Sequence, residues 1–400
     1  MVARKTVCLK RLGGNRKGEL GVGRFLGNAK VTTAKIIAGW SQQTGAACAG
    51  RHVLAIDDTC ELKFPTTAQC RRGLGPVKKG KAYGLLVHAM IAVDAASGAC
   101  LGLVGGQIWT RDGVNPVPHS KRPLEERESM RWLDAAAQAK RVLHAAAVVT
   151  VVDDRESDIY AKWASVPEAG FHMLTRLMTD RRLASGGMLS AAADGFPVAD
   201  RRTIELRPHE PGQVKRAAVV EMRYGAVEIC RPQNEDRSLP KTVRLRLIEV
   251  REVDPPADVA PVHWRLLTTH DIADAAAAWQ IVGWYQRRWV IEQMHRVMKS
   301  QGLQLEDSQV TTAERLEKLA AITVKAACID IQLTQERDGK HQLPGSAVFT
   351  EPEMDTVEAL VPTLEGSTER QKNPHPIRSL ARASWVVARL GGWNCYYKPP

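Results

Sequence analysis

Residues 285–299 read YQRRWVIEQMHRVMK, and the spacing of their polar side chains decides how the rest of the chain is read. Tyr285, Arg288, Glu292 and Lys299 stand at successive offsets of three, four and seven. At about 3.6 residues per turn, those offsets put all four side chains on one face of a single continuous helix. Such a face offers a hard carboxylate oxygen, a planar cation, a point cation and an aromatic hydroxyl. Metal ions and phosphodiesters call for that mixture; a solvated polar face is the plain alternative.

Working outward, two apolar runs upstream end in acids. His52–Ile56 runs into Asp57-Asp58-Thr59, and Ala145–Val152 runs into Asp153-Asp154-Arg155-Glu156. Both read as buried strands that stop at polar residues. Ala82–Val93 and Cys100–Trp109 read as two more strands, joined by hairpin punctuation at Asp94–Gly98. Pro116, Pro118 and Pro123 mark a loop, and Leu124–Leu143 has helical composition with Lys140 and Arg141 late. From about Arg181 the character turns to β. Thr203–Arg207, Ala217–Ile229 and Thr242–Val253 favour β-branched or alternating residues. Helical patterning returns from Ile272 to Lys299 and again at Glu314–Gln335. Gly339–Pro376 reads as a linker, and a last helix, Ser379–Leu390, is closed by Gly391-Gly392.

Strands, a helix, another strand and a late helix make an α/β protein, in which functional groups gather at strand carboxyl ends. If Asp58, Asp154 and Glu292 converge, three carboxylates repel one another unless cations neutralise them. Mg²⁺ suits such a cluster, and two ions support in-line phosphoryl transfer. Asp57 and Asp58 point to opposite sides of an extended strand, as do Asp153 and Asp154, and periodicity alone does not choose between them. Capping of the next turn is the other use for Asp58 and Asp154.

Four hundred residues hold two or three domains, and 56 basic against 44 acidic residues leave +12, a balance that suits polyanionic partners. In the first forty residues Arg4, Lys5, Lys10, Arg11, Arg16, Lys17, Arg24, Lys30 and Lys35 face only Glu19. Phosphate contact or a frayed basic terminus fits that run. The eight cysteines form no C-x-x-C pair, which argues against a zinc knuckle or disulfide scaffold and for reduced thiols in a cytoplasm. No signal-peptide core or spanning apolar run appears, which argues against secretion and a membrane partner. Nor is there a G-x-G-x-x-G, P-loop or G-x-S-x-G motif.

These motifs together carry a resemblance. Tyr285, Arg288, Glu292 and Lys299 fit the signature Y-x2-R-x3-E-x6-K, and Arg288-Trp289-Val290-Ile291-Glu292 with His295 fits R-W-x-I-E-x-x-H. Ile56–Cys60 fits a first-acid motif that selects Asp58, and Asp154–Ile159 fits D-R-E-x-D-I, which selects Asp154. Gly84–Arg111, with His88, Gly102 and Trp109, is similar to a central hairpin, and Arg24-Phe25-Leu26 with Asn28 to an upstream element. The chain resembles the DDE transposases of bacterial insertion sequences that bear the Y-R-E-K signature, the transposon-five type.

That resemblance implies an RNase H-like catalytic core interrupted by a mostly β insertion, with a short N-terminal basic segment and a helical C-terminal region. The implied divisions are 1–50, 51–180 (core), 181–265 (insertion), 266–335 (core) and 336–400, the last a candidate for pairing subunits. It implies that Asp58, Asp154 and Glu292 are catalytic and hold two Mg²⁺ or Mn²⁺ ions. Tyr285, Arg288 and Lys299 would be DNA-binding, gripping phosphates, and Trp264, upstream of Tyr285, would stack on an extruded base. His295, one turn beyond Glu292, suits either ordering that carboxylate or an ordinary interior place. Water would nick double-stranded DNA at a transposon end, and the freed 3′-hydroxyl would form a hairpin and then attack target DNA. A homodimeric synaptic complex in the bacterial cytoplasm, at the nucleoid, is the implied setting. Only about fifty residues precede Asp58, so the end-binding domain looks shortened, and the chain stops at Tyr397-Lys398-Pro399-Pro400, where relatives continue. A truncated DNA-binding remnant that regulates a full-length enzyme is the alternative.

Overall fold

A computed structural model describes residues 1–66, 72–111, 128–206, 215–257 and 259–396. Along the chain run α1 (Leu9–Gly13), α2 (Arg16–Leu26), α3 (Thr33–Ala38), α4 (Thr44–Cys48), β1 (His52–Lys63), β2 (Gly75–Val77), β3 (Ala82–Asp94) and β4 (Cys100–Trp109). Then come α5 (Met130–Val142), β5 (Val148–Asp153), α6 (Tyr160–Ser165), β6 (Phe171–Arg176), α7 (Leu189–Gly195), β7 (Val198–Leu206), β8 (Arg216–Cys230), β9 (Thr242–Glu252) and β10 (His263–Thr268). The last helices are α8 (Ala275–Gln286), α9 (Trp289–Lys299), α10 (Ala313–Glu336), α11 (Glu351–Leu364) and α12 (Leu380–Leu390). The architecture is mixed α/β. The prolines at 116, 118 and 123, the start of the Leu124 helix, Cys70, Arg207 and the last four residues lie outside the described residues.

The chain forms two units: Met1–Arg127 with Asp134–Val148 and Trp289–Pro400, and Glu128–Leu133 with Val149–Arg288. In the first, β3 pairs antiparallel with β1 along its length, while β2 and β4 also pair with β3. The β3–β4 hairpin is fixed by Asp94, whose Oδ1 accepts the N–H groups of Ala96 (2.9 Å) and Ser97 (2.7 Å). β1 does not stop at its acids: it continues to Lys63, with Asp58 opposite Ala89 and Thr59 opposite His88. A partner strand long enough to extend the ladder overrides the polar residues that seemed to end it.

α10 packs on β4, α9 and α12, and its core side chains include the fully buried Leu316, Leu319, Ala320 and Val324. Trp40 anchors the N-terminal helices to it, its Nε1–H donating to the Ala321 carbonyl at 3.0 Å. The stretch expected as a linker contains α11. Its Thr350–Glu353 capping box and early proline start a helix, because a proline in the first turn lacks only an N–H that has no helical partner there. Met354, Val357 and Val361 then pack on Ala383, Trp385 and Val386 of α12.

In the second unit, β5 and β6 are parallel neighbours connected through α6. Antiparallel pairing continues from β6 to β10, β9, β8 and β7. The segment read as β-rich holds β7, β8 and β9, with α7 ahead of them. On β9 the alternation is visible in burial: Leu245 and Leu247 point inward while Arg244 is exposed.

The single helix expected over 285–299 is absent. α8 ends at Gln286 and α9 begins at Trp289. Between them the Arg287 and Arg288 N–H groups reach carbonyls three residues back, Trp284 at 3.1 Å and Tyr285 at 3.0 Å. That tighter bonding closes the end of α8 as a 3₁₀-type turn. Tyr285 therefore sits on α8, Arg288 in the turn, and Glu292 and Lys299 on α9.

Candidate active site

Because β1 stays extended through Asp57 and Asp58, its two acids fall on opposite faces. Asp57 is fully buried, with its Oδ2 3.6 Å from His88 Nε2. His88 Nδ1 in turn lies 2.9 Å from the Thr59 hydroxyl. Asp58 faces the other way, and its Oδ1 accepts the Thr59 N–H at 2.8 Å.

On that second face lies α9, which packs against β1. Ile291, Met294, His295 and Met298 form its buried stripe at helical spacing, which leaves Glu292 and Lys299 half-buried at the edge. Asp58, Thr59, Cys60, Glu61, Lys63 and Lys78 line a cavity of about 320 Å³ with Glu292, His295 and Lys299. His295 brings its Nδ1 to 3.8 Å from Asp58 Oδ2. Burial pushes the Cys60 thiol up to about 12, against the nearby Lys299 charge. Carboxylate oxygens are thus the anionic donors of this cavity.

In the second unit, β5 ends at its inner acid. Asp153 is fully buried, accepting from Lys162 Nζ at 2.8 Å and from the Thr175 hydroxyl at 2.9 Å. Asp154, half-buried, caps the 3₁₀ turn Arg155–Ser157 by accepting the Glu156 N–H at 2.8 Å. The capping use foreseen for this acid is therefore real. Burial raises the Asp154 carboxyl above the ordinary range and the charges of Glu156 and Asp153 push the same way, while the Glu156 N–H and Arg288 oppose.

Tyr285 is buried on α8; burial raises its hydroxyl, with Arg288 and Arg176 pulling it down. Arg176 ends β6, and burial lowers its guanidinium, which feels Tyr285, Arg155 and Arg288. The Tyr285 phenol thus shares its surroundings with the Arg176 and Arg288 guanidinium groups and the Asp154 carboxylate, and those two planar cations are suited to an anion. Nothing in the motif spacing singled out Arg176. The signal that finds it is register: Thr175 lies beside Asp153 in the parallel ladder, so Arg176 follows at the end of β6 as Asp154 follows at the end of β5.

Trp264 stands on β10 opposite Val250, half-buried, two residues before Leu266, which pairs with Arg176. Of the predicted site residues, the first unit gathers Asp58, Glu292 and Lys299, and the second gathers Asp154, Tyr285 and Arg288. Among the described residues no three His, Cys, Asp or Glu side chains are grouped so as to hold a metal ion by themselves. Among the same residues, no helix is long and apolar enough to cross a membrane.

Residues 134–329 match the family described as "Transposase DDE domain", a family of phosphoryl-transfer enzymes. The match includes Asp154, Trp264, Tyr285, Arg288, Glu292 and Lys299; Asp58 precedes it. Among solved structures, the chain is similar to a piggyBac transposase in a synaptic complex with hairpin DNA, seen by cryo-electron microscopy. The TM-score is 0.40 and the identity 9%, over 86% of this chain and 54% of that one. The chain thus spans about half the length of that transposase.

Proposed function

We propose that this chain is a DNA transposase of the Y-R-E-K insertion-sequence type. It cleaves phosphodiesters at transposon ends with water and joins the freed 3′-hydroxyl to target DNA, by way of a hairpin. The observation that carries this reading is the cavity that Asp58 shares with Glu292, His295 and Lys299. The cluster of Asp154, Tyr285, Arg288 and Arg176 supports it.

The donors fit a hard divalent cation, since they are carboxylates and the one thiol of the cavity, Cys60, is buried. Mg²⁺ or Mn²⁺ ions held by Asp58, Asp154 and Glu292 would supply Lewis acidity at the attacking and leaving oxygens. The protein's own groups do the positioning. Arg288 and Arg176 present planar forks to phosphate oxygens, Lys299 a point charge, and Tyr285 a hydroxyl donor. Trp264 stacks on an extruded base, a contact worth about 1–3 kcal/mol. Double-stranded DNA is the partner, bound by a homodimer in a bacterial cytoplasm.

The test is nicking of a supercoiled plasmid that carries the element's terminal repeats. Wild type nicks with Mg²⁺ and stops with a chelator, and Glu292→Ala loses about 10³-fold or more in rate, the several kcal/mol that metal-assisted stabilisation supplies. Tight DNA binding by wild type with no Mg²⁺-dependent cleavage would overturn the proposal in favour of a regulatory remnant.

A further inference from the structure

Within the first unit, a cavity of about 810 Å³ opens between the N-terminal residues, the end of α10 and α12. Its volume lies within the ~300–1,000 Å³ typical of small-molecule sites. Arg4, Lys5, Arg337, Arg370 and Lys372 line it against only Asp330 and Glu369, and so do the indoles of Trp385 and Trp393. Lys5 and Arg370 are exposed, so both can turn to a ligand. Arg4 is held in place by the Leu12 carbonyl (3.2 Å), and Lys372 lies 3.6 Å from Glu365.

The position of Trp393 is dictated by the chain. After α12, Gly392 takes φ +95°, a conformation that favours glycine. Its N–H bonds to the Arg389 carbonyl, and the Trp393 N–H to Ala388, both at 3.0 Å. This Schellman closure folds Trp393 back over its own helix. Trp393 remains half-buried, while Trp385 is buried and has the Arg389 guanidinium 5.7 Å from its ring centre.

Indole surface and surplus cations in one cavity meet the two demands of a nucleotide, a π-face for the base and positive charge for the phosphate. An acidic peptide would use the cations alone. We infer that this cavity binds a nucleotide, either free or as an unpaired nucleotide of a single strand. Trp393 is the stacking surface, and Lys5 and Arg370 are the phosphate contacts. The inference gives the basic residues at the N-terminus a ligand, and it does not depend on the catalytic reading.

Fluorescence anisotropy of the full chain tests it, with a chelator present. The probes are a fluorescein-labelled pentathymidylate and, separately, a fluorescent adenosine monophosphate. Lys5→Glu with Arg370→Glu, and independently Trp393→Ala, are each expected to weaken binding about tenfold, as losing charge contacts or one stacked base does. Trp393→Phe should retain most of the affinity, and Arg288→Ala with Lys299→Ala should leave the cavity's binding in place. Binding of both probes points to a free nucleotide, and of the oligonucleotide alone to a strand. Unchanged affinity in the charge-reversed variant overturns the proposal. So does displacement of the probe by polyglutamate as readily as by unlabelled oligonucleotide, which would make an acidic peptide the occupant.

Discussion

Asp57-Asp58 on β1 and Asp153-Asp154 at the end of β5 share one pattern, an inner acid followed by an outer one, yet the inner acids are neutralised differently. Asp153 meets a full cation, Lys162, at 2.8 Å with both side chains fully buried, and Thr175 satisfies its other oxygen. Asp57 meets an imidazole, His88, at 3.6 Å. The outer acids differ as well. Asp58 stays inside a continuing strand, whereas Asp154 has left the strand and caps a turn. Each inner acid is tied into its own unit's core, and each outer acid is left for other work. On β1 the two-residue period of an extended strand sends the inner and outer acid to opposite faces, and at β5 the end of the strand separates them.

That division can be broken most sharply at the acids themselves. Asp58→Asn and Asp154→Asn should each lower plasmid nicking by about 10³-fold, because a neutral amide is a poor ligand for a hard cation. Their melting temperatures should stay near that of wild type. Asp57→Asn and Asp153→Asn should do the reverse, lowering the melting temperature while folded protein keeps its rate. Full nicking activity in Asp58→Asn would refute the assignment of roles on β1.

Next in size is the contrast between the two inner partners. Lys162→Met strands a buried carboxylate and should cost about 3–5 kcal/mol in denaturant unfolding. His88→Leu should cost less, about 1–3 kcal/mol, since it removes a weaker polar partner. Replacing both charges, as Asp153→Leu with Lys162→Met, should recover much of the loss if the pair is set by desolvation rather than by net attraction. If His88→Leu proves the costlier single change, the ranking of the two partners is reversed.

The choice between adjacent acids was beyond periodicity, which separates Asp57 from Asp58 without naming the functional face. That face is set by α9 packing on β1, a contact between segments more than two hundred residues apart. Motif spacing did bring out Glu292 and Lys299, since both lie on α9 and seven residues is about two turns. It failed across Arg287-Arg288, where neither glycine nor proline marks the break and side-chain composition stays helix-compatible. α11 was hidden by the opposite error, because prolines were read as linker when one of them starts the helix. Arg176 was invisible for a third reason: it comes near Tyr285 because α8 packs on β6, a contact between segments about one hundred residues apart that neither sequence records alone.

The smallest expected effect separates the two duties of Asp154. Its carboxylate both caps the 155–157 turn and, in the proposed mechanism, serves the cation. Serine also caps well but is a weak metal ligand, so Asp154→Ser should keep the turn and lose the chemistry. Asp154→Ala should lose both, with a further stability cost of about 1 kcal/mol relative to serine. No such difference is expected between Asp58→Ser and Asp58→Ala, because Asp58 caps no helix and the β3 ladder holds its strand. Chemical denaturation of the four variants measures the contrast directly. Equal stability of the serine and alanine variants at 154 would mean that the cap contributes little, and that burial beside Arg288 and Tyr285 is what fixes this carboxylate in place.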